Sequence, residues 1–505
     1  MTEFLINNMA PIIFASMVIF LLVGFPVAFA LAANGIFFGL IGIELGLLGP
    51  QLFQALPDRI FGIMSNDTLL AIPFFTFMGL ILERSGMAED LLDTIGQLFG
   101  PMRGGLALAV IFVGALLAAT TGVVAASVIS MGLISLPIML RYGYNTKLAT
   151  GVIAASGTLA QILPPSLVLI IMADQLGKSV GDMYKGAFLP AIVLTLFYVG
   201  YVLAVALFKP RWAPALPAAA RTLHGSKLLL RVLTTMVPPL MLIFLVLGTI
   251  FMGIATPTEG GAMGATGALL MALARKRLTL SLLKQAMDTT AKLTTFVVFI
   301  LVGARVFSLT FYGVDGHRWV EHLLTGLPGG EVGFLIVVNI LIFLLAFFLD
   351  FFELSFIVVP LLGPVAESLG IDLIWFGILL AVNMQTSFMH PPFGFALFYL
   401  RSVAPASVKT TDIYWGAIPF VCIQIVMVGI LIAFPQLVTF GLDKQVKVDL
   451  DSVEIEVPAS SYGGGGGYGY GTPAEGAPDG QPKPGAAATD AILDMLKEAK
   501  ENKEK

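Results

Sequence analysis

Apolar segments separated by short polar stretches fill the first 440 positions of the chain. The first 48 residues hold two such segments, because Gly24-Phe25-Pro26 interrupts them and proline breaks a helix interior. Further spans lie near 68–83, 104–140, 148–174, 187–208, 236–252, 260–274, 293–312, 332–349, 354–369, 373–400 and 412–434. Membrane-spanning helices need about 20 apolar residues, whereas barrel strands alternate over about 10. The pattern predicts an all-α polytopic membrane protein, with hairpins or broken helices in the runs at 104–140 and 373–400.

Composition agrees with a membrane location and separates a tail from the body. Of the 505 residues, 57% are hydrophobic and 12% are charged, and the mean hydropathy is +0.92. Soluble domains carry about 45–50% apolar and about 25% charged residues. The tail over 441–505 is acidic, with seven basic and twelve acidic residues, while the body is close to neutral. No basic face exists for a nucleic acid partner.

The polar segments indicate the orientation and the domain organisation. Basic clusters at 209–231 and 275–284 favour the cytoplasmic side of the membrane. Within the tail, 445–457 alternates like a short strand, a Gly- and Pro-rich linker follows, and 492–499 has the pattern of a short helix. We expect the tail in the cytoplasm. The predicted organisation is N-terminal scaffold helices over 1–60, a first repeat over 61–208, a basic connection with scaffold helices over 209–292, a second repeat over 293–440, and the flexible tail over 441–505.

An internal repeat defines the architecture. Pro137 and Pro364, like Gly143 and Gly370, are separated by 227 positions, and the pair Pro164-Pro165 recurs at the same offset as Pro391-Pro392. Internal repeats with interrupted helices at matching positions are typical of secondary transporters whose site lies between the repeats. The sequence thus predicts two diverged copies around 68–200 and 293–430.

The interruptions carry the candidate chemistry. A double proline removes two backbone donors, and the carbonyl groups one turn earlier lose their partners. Unpaired backbone groups are costly in lipid, so they persist where they line a cavity or bind a ligand. Together with hydroxyl and amide oxygens they form a neutral oxygen cage that suits Na⁺, and helix N-termini nearby suit a carboxylate. The alternative is that each Pro-Pro pair only kinks packed helices.

A few charged or titratable residues interrupt the apolar spans. Arg305 lies near the middle of a span, and Asp350 and Glu353 lie between two apolar stretches, so all three are functional candidates. Arg305 has two interpretations: it binds a substrate carboxylate through both guanidinium nitrogens, or it forms a structural pair with Asp350 or Glu353. Glu259 follows Thr-Pro-Thr and is predicted to cap a helix or to take part in packing between helices. His390 is either a titrating group or a hydrogen-bonded bystander beside the prolines.

These stretches resemble the large membrane subunit of TRAP transporters, the tripartite ATP-independent periplasmic transporters. The matching segments are GFPVAFAL at 24–31, AIPFFTFMGLILERSGMAEDLLD at 71–93, GGLALAV at 104–110, ATTGVVAAS at 119–127, LPIMLRYGY at 136–144, ASGTLAQILPPS at 155–166, GIATPTEGGAMG at 253–264, and LDFFELSFIVVPLLGP through NMQTSFMHPPFGFALFYL. The resemblance covers roughly residues 10–435. The segments GARVFSLTF, DFFELSF and PPFGFALFYL are most similar to the mannitol/chloroaromatic branch.

The resemblance implies an elevator-type transporter in the bacterial inner membrane, with two inverted repeats that each hold a hairpin and a broken helix. It implies coupling to Na⁺, with two sites expected, and import of an organic acid. It also implies two partners besides the lipid bilayer, a periplasmic substrate-binding protein and a small four-helix membrane subunit. The first hairpin tip would be Thr121-Gly122, where the family's second hydroxyl is missing. The second tip would lie around Asp350, and His390 stands where the family has Thr.

The predicted sites follow from the interruptions and the resemblance together. The substrate site is predicted to consist of Arg305, Thr121, Gly122, Asp350, Gln385 and Ser166. The Na⁺ sites are predicted from Thr120, Thr121, Ser156, Gly157, Thr158, Pro164, Asp350, Asn383, Thr386, Ser387 and Pro391. Two alternatives stay open: an anion carrier that needs no binding protein, and a scaffold or interaction protein that has lost transport. No nucleophile–base or metal-ligand constellation is present in the sequence, so we do not expect an enzyme, and the sequence does not name the organic acid.

Overall fold

A computed structural model describes residues 2–122 and 124–442, together with their side chains except those of Thr2, Thr120 and Thr121. The predicted strand at 445–457 and the predicted final helix lie outside these residues. The described part is helical, with short 3₁₀ and π segments and no strand. Seven of its helices are long and apolar enough to cross a membrane, which matches the predicted class of fold. The pair α15 and α16, whose bounds follow below, is bent by 116° at its break.

The first half of the chain contains eleven helices among the described residues. Their bounds are α1 Thr2–Asn7, α2 Met9–Val23, α3 Val27–Glu44, α4 Leu56–Met64, α5 Ala71–Arg84, α6 Met87–Phe99, α7 Gly105–Thr121, α8 Val124–Arg141, α9 Thr146–Thr158, α10 Leu167–Leu176 and α11 Val180–Phe208. Helices α7 and α8 form the hairpin expected within 104–140. Gly24 (φ 89°) ends α2 in the left-handed region, at the interruption that the sequence predicts.

The second half of the described chain also contains eleven helices. Their bounds are α12 Gly225–Phe251, α13 Pro257–Ala274, α14 Leu280–Gly313, α15 Gly316–Thr325, α16 Gly330–Leu345, α17 Phe351–Glu353, α18 Val359–Ser368, α19 Leu373–Met384, α20 Phe395–Val403, α21 Thr410–Ala433 and α22 Gln436–Thr439. A π-helical turn over Leu354–Val358 joins α17 to α18. Thr256 and Glu259 form a capping box at the start of α13, so the predicted capping role of Glu259 is confirmed.

The two halves repeat each other at the offset found in the sequence. Shifted by 227 positions, α9 coincides with α19 and α10 with α20, and the hairpin limb α8 coincides with the segment from α17 to α18. The turns before α9 and α19 match in detail, because Gly143 and Gly370 both have φ 79°. Asn145 and Asp372, 227 positions apart, each cap the following helix with a side-chain oxygen. The correspondence extends back to the pair α3 and α13, and α5 shifted by 227 positions falls within α14.

Helix directions show that the repeats are inverted. Helix α3 runs parallel to α14, because Ala28 lies against Gly303 and Gly39 lies against Thr310. Helix α5 runs antiparallel to α14, because Arg84 Nη1 donates to Gln285 Oε1 (3.0 Å) at the start of α14.

Helix α5 also runs parallel to α13, because Gly261 lies against Phe74 and Gly264 lies against Met78. It follows that α3 is antiparallel to its counterpart α13, and α5 to its counterpart α14. Corresponding helices with opposite directions are what a two-fold axis across the helices produces, as in transporters with inverted repeats.

The hairpin of the first half is anchored by a buried phenol. The Tyr144 hydroxyl, in the turn between α8 and α9, accepts a hydrogen bond from the amide of Leu106 (3.2 Å) at the start of α7. Burial raises the pKa of Tyr144 to about 12, so the phenol stays protonated at neutral pH. This bond fixes the open end of the hairpin to the start of the broken helix α9–α10.

Candidate functional site

The two broken helices meet where the sequence predicts the site. Both proline pairs, Pro164-Pro165 and Pro391-Pro392, contain a cis peptide bond. A 3₁₀ turn precedes each pair, over Leu159–Gln161 and Gln385–Phe388. Thr158 and Gln385, which occupy equivalent positions in the repeats, contact each other, since Gln385 Nε2 donates to Thr158 Oγ1 (3.4 Å). The two breaks therefore face each other across the two-fold axis.

The first break is lined by buried hydroxyl groups. Ser156 and Thr158 are fully buried, and each donates a hydrogen bond to a backbone carbonyl one turn earlier. Ser166 caps α10 and also donates to the carbonyl of Gln161. Each hydroxyl donates its only proton to a carbonyl, so a cation can bind only to the oxygen lone pairs. The oxygen of Thr158 already accepts from Gln385, and that of Ser166 accepts from the amide of Leu169. Gly157 packs against Val128 of α8, so it brings the broken helix close to the hairpin.

The second break offers amide and hydroxyl oxygens. Asn383 Nδ2 donates to both the carbonyl and the side-chain oxygen of Asn339 (2.7 and 2.9 Å), which fixes the orientation of the Asn383 amide. Thr386 donates to the carbonyl of Asn383 (2.7 Å). The side-chain oxygens of Gln385 and Ser387 are buried and have no hydrogen-bond partner among the described residues. Such atoms indicate a bound water or ion.

Gln161 belongs to this group, although the sequence reasoning did not include it. It lies in the 3₁₀ turn of the first break, it is 1% exposed, and both polar atoms of its amide lack a partner in the described part of the chain. The signal was present in the sequence, since Gln161 lies three residues before the proline pair. Its amide adds an oxygen to the first break.

The two hairpin tips differ. At the first tip, Gly122 takes a left-handed conformation (φ 59°) and lies against Leu167 at the start of α10. The side chains predicted there, those of Thr120 and Thr121, lie outside the described ones. At the second tip, Asp350 Oδ1 accepts from the amide of Glu353 (3.0 Å), and Glu353 Oε2 accepts from the amide of Asp350 (3.0 Å). This capping box engages one oxygen of each carboxylate. It lies at the start of the segment from α17 to α18, which is the returning limb of the second hairpin, and α16 is the first limb of that hairpin.

Arg305 does not pair with either of these carboxylates. The guanidinium lines two adjoining cavities between α4, α10, α14 and the returning limb of the second hairpin, of about 270 and 340 Å³. Of the predicted substrate-site residues other than Arg305, none of the four described ones, Gly122, Ser166, Asp350 and Gln385, lines either cavity. The structure therefore brings Thr158 and Gln385 together and sets Arg305 apart from them.

His390 occupies an aromatic environment. Its ring is 1% exposed and lies 4.2 Å from the ring of Phe343 and 4.3 Å from that of Phe347, measured between centroids. Neither ring nitrogen has a partner within the described residues. The interpretation of His390 as a hydrogen-bonded bystander therefore finds no protein partner for the imidazole among the described residues.

Comparison with known proteins identifies a family. The family model "Tripartite ATP-independent periplasmic transporter, DctM component" matches residues 14–437. The C4-dicarboxylate TRAP transporter large permease protein DctM of Pseudomonas aeruginosa is 30% identical over 399 residues, which cover 77% of this chain and 89% of the relative. The protein of the same name from Vibrio cholerae is 30% identical over 450 residues, with 83% and 93% covered. The sialic acid TRAP transporter permease protein SiaT of Haemophilus influenzae is 26% identical, with 77% and 62% covered.

A solved transporter has a similar fold. The crystal structure of the Alcanivorax borkumensis YdaH transporter superposes with a TM-score of 0.56 at 15% identity, and the match covers 78% of this chain and 90% of that one. At this identity the likeness concerns the fold alone. It agrees with the helical membrane architecture described above.

Proposed function

The chain belongs to the DctM component family of the tripartite ATP-independent periplasmic transporters, and from this premise we propose that it imports an organic acid by coupling to a Na⁺ gradient. The family is one of transporter permeases, so the chain is a multi-pass inner-membrane subunit and not an enzyme. In the proposal, a periplasmic binding protein delivers the acid, and a small four-helix membrane subunit completes the complex.

The facing breaks carry the Na⁺ proposal. They bring together buried hydroxyl and amide oxygens from both repeats, and three of these side chains, Gln161, Gln385 and Ser387, have oxygen atoms without a partner in the described part of the chain. A hard cation prefers oxygen ligands. A neutral cage of this kind holds Na⁺ by dipoles and creates no excess of fixed negative charge.

Arg305 is the proposed contact for the acid. It is half-buried on α14, within a segment apolar enough to span the membrane. A charge in such a position is costly unless it is used, and a guanidinium binds a carboxylate through two parallel hydrogen bonds.

An elevator movement is consistent with the arrangement of the repeats. The hairpins, the broken helices α9–α10 and α19–α20, and the long helices α11 and α21 form one set of elements, and α3, α5, α13 and α14 pack on one another as a second set. The contacts between the sets include single polar bonds, such as Ser130 Oγ to Glu83 Oε1 (2.6 Å). We propose that the first set moves against the second and carries the acid and Na⁺ with it.

Reconstitution in liposomes tests the coupling. Together with its membrane partner and binding protein, the complex should take up the acid when Na⁺ is outside. Uptake should stop when choline replaces Na⁺ at the same ionic strength. Uptake that is equally fast in choline would overturn the coupling.

The same assay tests the other assignments. Unchanged uptake in Arg305→Ala would remove the assigned role of Arg305. Full uptake without the binding protein would favour a carrier that needs none. No uptake under any gradient, from a complex that assembles normally, would favour an interaction protein that has lost transport.

A further inference from the structure

We propose that a cavity between the tip of the second hairpin and α14 binds an organic ammonium ion that carries an aromatic ring, and that the bound ion holds the tip in place. This cavity is separate from the two that Arg305 lines, and none of its described lining residues belongs to the predicted substrate or Na⁺ sites. The binding site does not depend on the proposed function, whereas its effect on uptake rests on the proposed elevator movement.

The cavity lies between elements that this movement would separate. Its volume is about 380 Å³, within the range of small-molecule sites. The start of α3 and the middle of α14, which belong to the second set of elements named above, form two walls, and Phe348, Leu349 and Glu353 of the hairpin form the third. The hairpin contacts α14 here, since the rings of Phe352 and Phe296 lie 5.8 Å apart between centroids. A ligand that touches all three walls therefore binds this arrangement and disfavours its separation.

Five phenylalanine side chains line the cavity and keep part of their surface free. Each of these residues is 45–62% exposed, and the rings of Phe29 and Phe299 meet edge to face at 5.2 Å between centroids. The face of an aromatic ring attracts a cation, and several rings around one point form a cage for an ammonium group. The five residues are Phe25, Phe29, Phe296, Phe299 and Phe348.

Glu353 is the only charged residue among the described residues that line the cavity. It lies in a segment apolar enough to span the membrane, where a charge is costly unless it is paired or used. Within the described chain it forms no ion pair. The capping box engages only its Oε2, and a glutamine would serve the same cap. The cap therefore accounts for the shape of this side chain but not for its charge.

The rings and the carboxylate together favour an organic cation over other occupants. A lipid chain would fill the space but leave the charge of Glu353 uncompensated. An inorganic cation would compensate that charge, but apolar rings do not replace the oxygen ligands that it prefers. An aromatic ammonium ion satisfies both requirements, because its nitrogen donates to the carboxylate while its ring packs on the phenylalanines.

Binding of radiolabelled 4-phenylbutylammonium to the full chain in lipid nanodiscs tests the site. Empty nanodiscs measure the partition into lipid, which is subtracted. The competitors are unlabelled 4-phenylbutylammonium and 4-phenylbutan-1-ol, which has the same ring and chain length without the charge. The ammonium ion should displace the label at about one tenth of the concentration that the alcohol requires.

Three variants assign this preference to residues. Glu353→Gln keeps the cap but removes the charge, so the two competitors should then differ by about twofold or less. Phe29→Leu removes one ring and should weaken the binding of both compounds several-fold. The matched control is Phe244→Leu, which should weaken neither, because Phe244 is exposed on α12 outside the cavity.

The uptake assay tests whether the bound ion holds the hairpin tip. At saturating acid and Na⁺, 4-phenylbutylammonium should lower the maximal rate of uptake by the complex. In Phe29→Leu, the inhibitory concentration should rise in proportion to the weaker binding, and in Phe244→Leu it should stay at the wild-type value. Binding without inhibition would refute the claim that the ion holds the tip.

The remaining outcomes concern the site itself. The site is overturned if the alcohol binds as tightly as the ammonium ion, if Glu353→Gln keeps the preference, or if Phe29→Leu binds both compounds like the wild type. Binding no greater than that of empty nanodiscs overturns it as well, since lipid would then fill the cavity. Failure of Na⁺-dependent uptake without any amine concerns the proposed function alone, because binding is measured without transport.

Discussion

Replacement of Gly151 by alanine should disturb the packing that holds the first broken helix. Gly151 lies on α9, where its backbone touches α21 at Gly416. A methyl group on Gly151 would lie 2.7 Å from the carbonyl carbon of Gly416 and 2.9 Å from Cε2 of Phe420. Carbon atoms in good contact are about 3.5–4.0 Å apart, so the two helices would have to separate by roughly 1 Å.

The repeat supplies a matched comparison for this substitution. The equivalent contact in the other repeat joins Ile378 of α19 to Gly186 of α11, where an added methyl group would lie 2.8 Å from Cδ1 of Ile378. The end of an isoleucine side chain can rotate away, but a backbone carbonyl cannot. Gly200 on α11 has no neighbour within 4 Å of an added methyl group, so Gly200→Ala reports the effect of helix propensity alone.

The expected loss in the free energy of unfolding depends on which atoms the added methyl group meets. Overpacking typically costs about 1–3 kcal/mol, and we expect Gly151→Ala at the upper end and Gly186→Ala at the lower end of that range. Gly200→Ala should be neutral or slightly stabilising, since alanine is a better helix former than glycine. Because α9 continues into Ser156 and Thr158, a shift of roughly 1 Å would also exceed the tolerance of about 0.5 Å for a preorganised site. The Na⁺ concentration for half-maximal stabilisation should therefore rise in Gly151→Ala only.

The assay is thermal unfolding of the full chain at a series of NaCl concentrations, with choline chloride keeping the ionic strength constant. The expected order of the unfolding midpoints is Gly151→Ala below Gly186→Ala below Gly200→Ala. A Gly151→Ala protein with the midpoint and Na⁺ dependence of Gly200→Ala would refute the reasoning. If Gly151→Ala and Gly186→Ala lower the unfolding midpoint equally, it does not matter whether the added methyl group meets a backbone carbonyl or a side chain that can rotate.

Three further predictions concern other parts of the chain. Ser387→Ala should raise the Na⁺ concentration for half-maximal uptake several-fold, because it removes a buried oxygen without a protein partner in the described chain, whereas Ser368→Ala at the exposed end of α18 should not. Asp90→Asn should lower the free energy of unfolding by about 1–2 kcal/mol at low salt and by less in 1 M NaCl, because Asp90 pairs with Arg231, Arg275 and Arg277 (3.1–3.5 Å) at a partly exposed site. The exposed pair of Asp288 with Lys292 is the control, and Asp288→Asn should cost about 0.5 kcal/mol or less. Deletion of 444–505 should leave Na⁺-dependent uptake unchanged. If the shortened chain assembles normally but uptake is lost, the tail has a role in transport.

The repeat and its breaks were predictable from the sequence because prolines and glycines fix backbone geometry locally. The offset between Pro164 and Pro391 recurs in the helix bounds, and Gly143 and Gly370 adopt the same left-handed turn. Asp350 and Glu353 show the limit of such reasoning. Their spacing of three fits a capping box as well as a charge pair with Arg305, and only the fold decides between the two.

Arg59 and Gln161 show a different limit. Arg59 lines the same two cavities as Arg305. It lies on the short helix α4, where an arginine is ordinary, and its position beside Arg305 depends on a contact between α4 and α14 that has no local signature. Gln161 lies three residues before the first proline pair, but the sequence does not show that its amide is buried without a partner in the described part of the chain. Residues that act through tertiary contact are therefore harder to find from sequence than residues that act through backbone geometry.

The two halves of the site have diverged in a way that should make the two proposed Na⁺ positions unequal. At the common offset, Gln161 corresponds to Phe388 and Ser166 to Phe393, so the first repeat has polar groups where the second has aromatic rings. The second repeat supplies its oxygens before the break instead, from Asn383, Gln385, Thr386 and Ser387. Since Gln385 donates to Thr158, the proposed Na⁺ position at the first break also depends on a residue of the second repeat. Loss of the Gln385 amide should therefore weaken both positions, whereas loss of Gln161 should weaken the first alone.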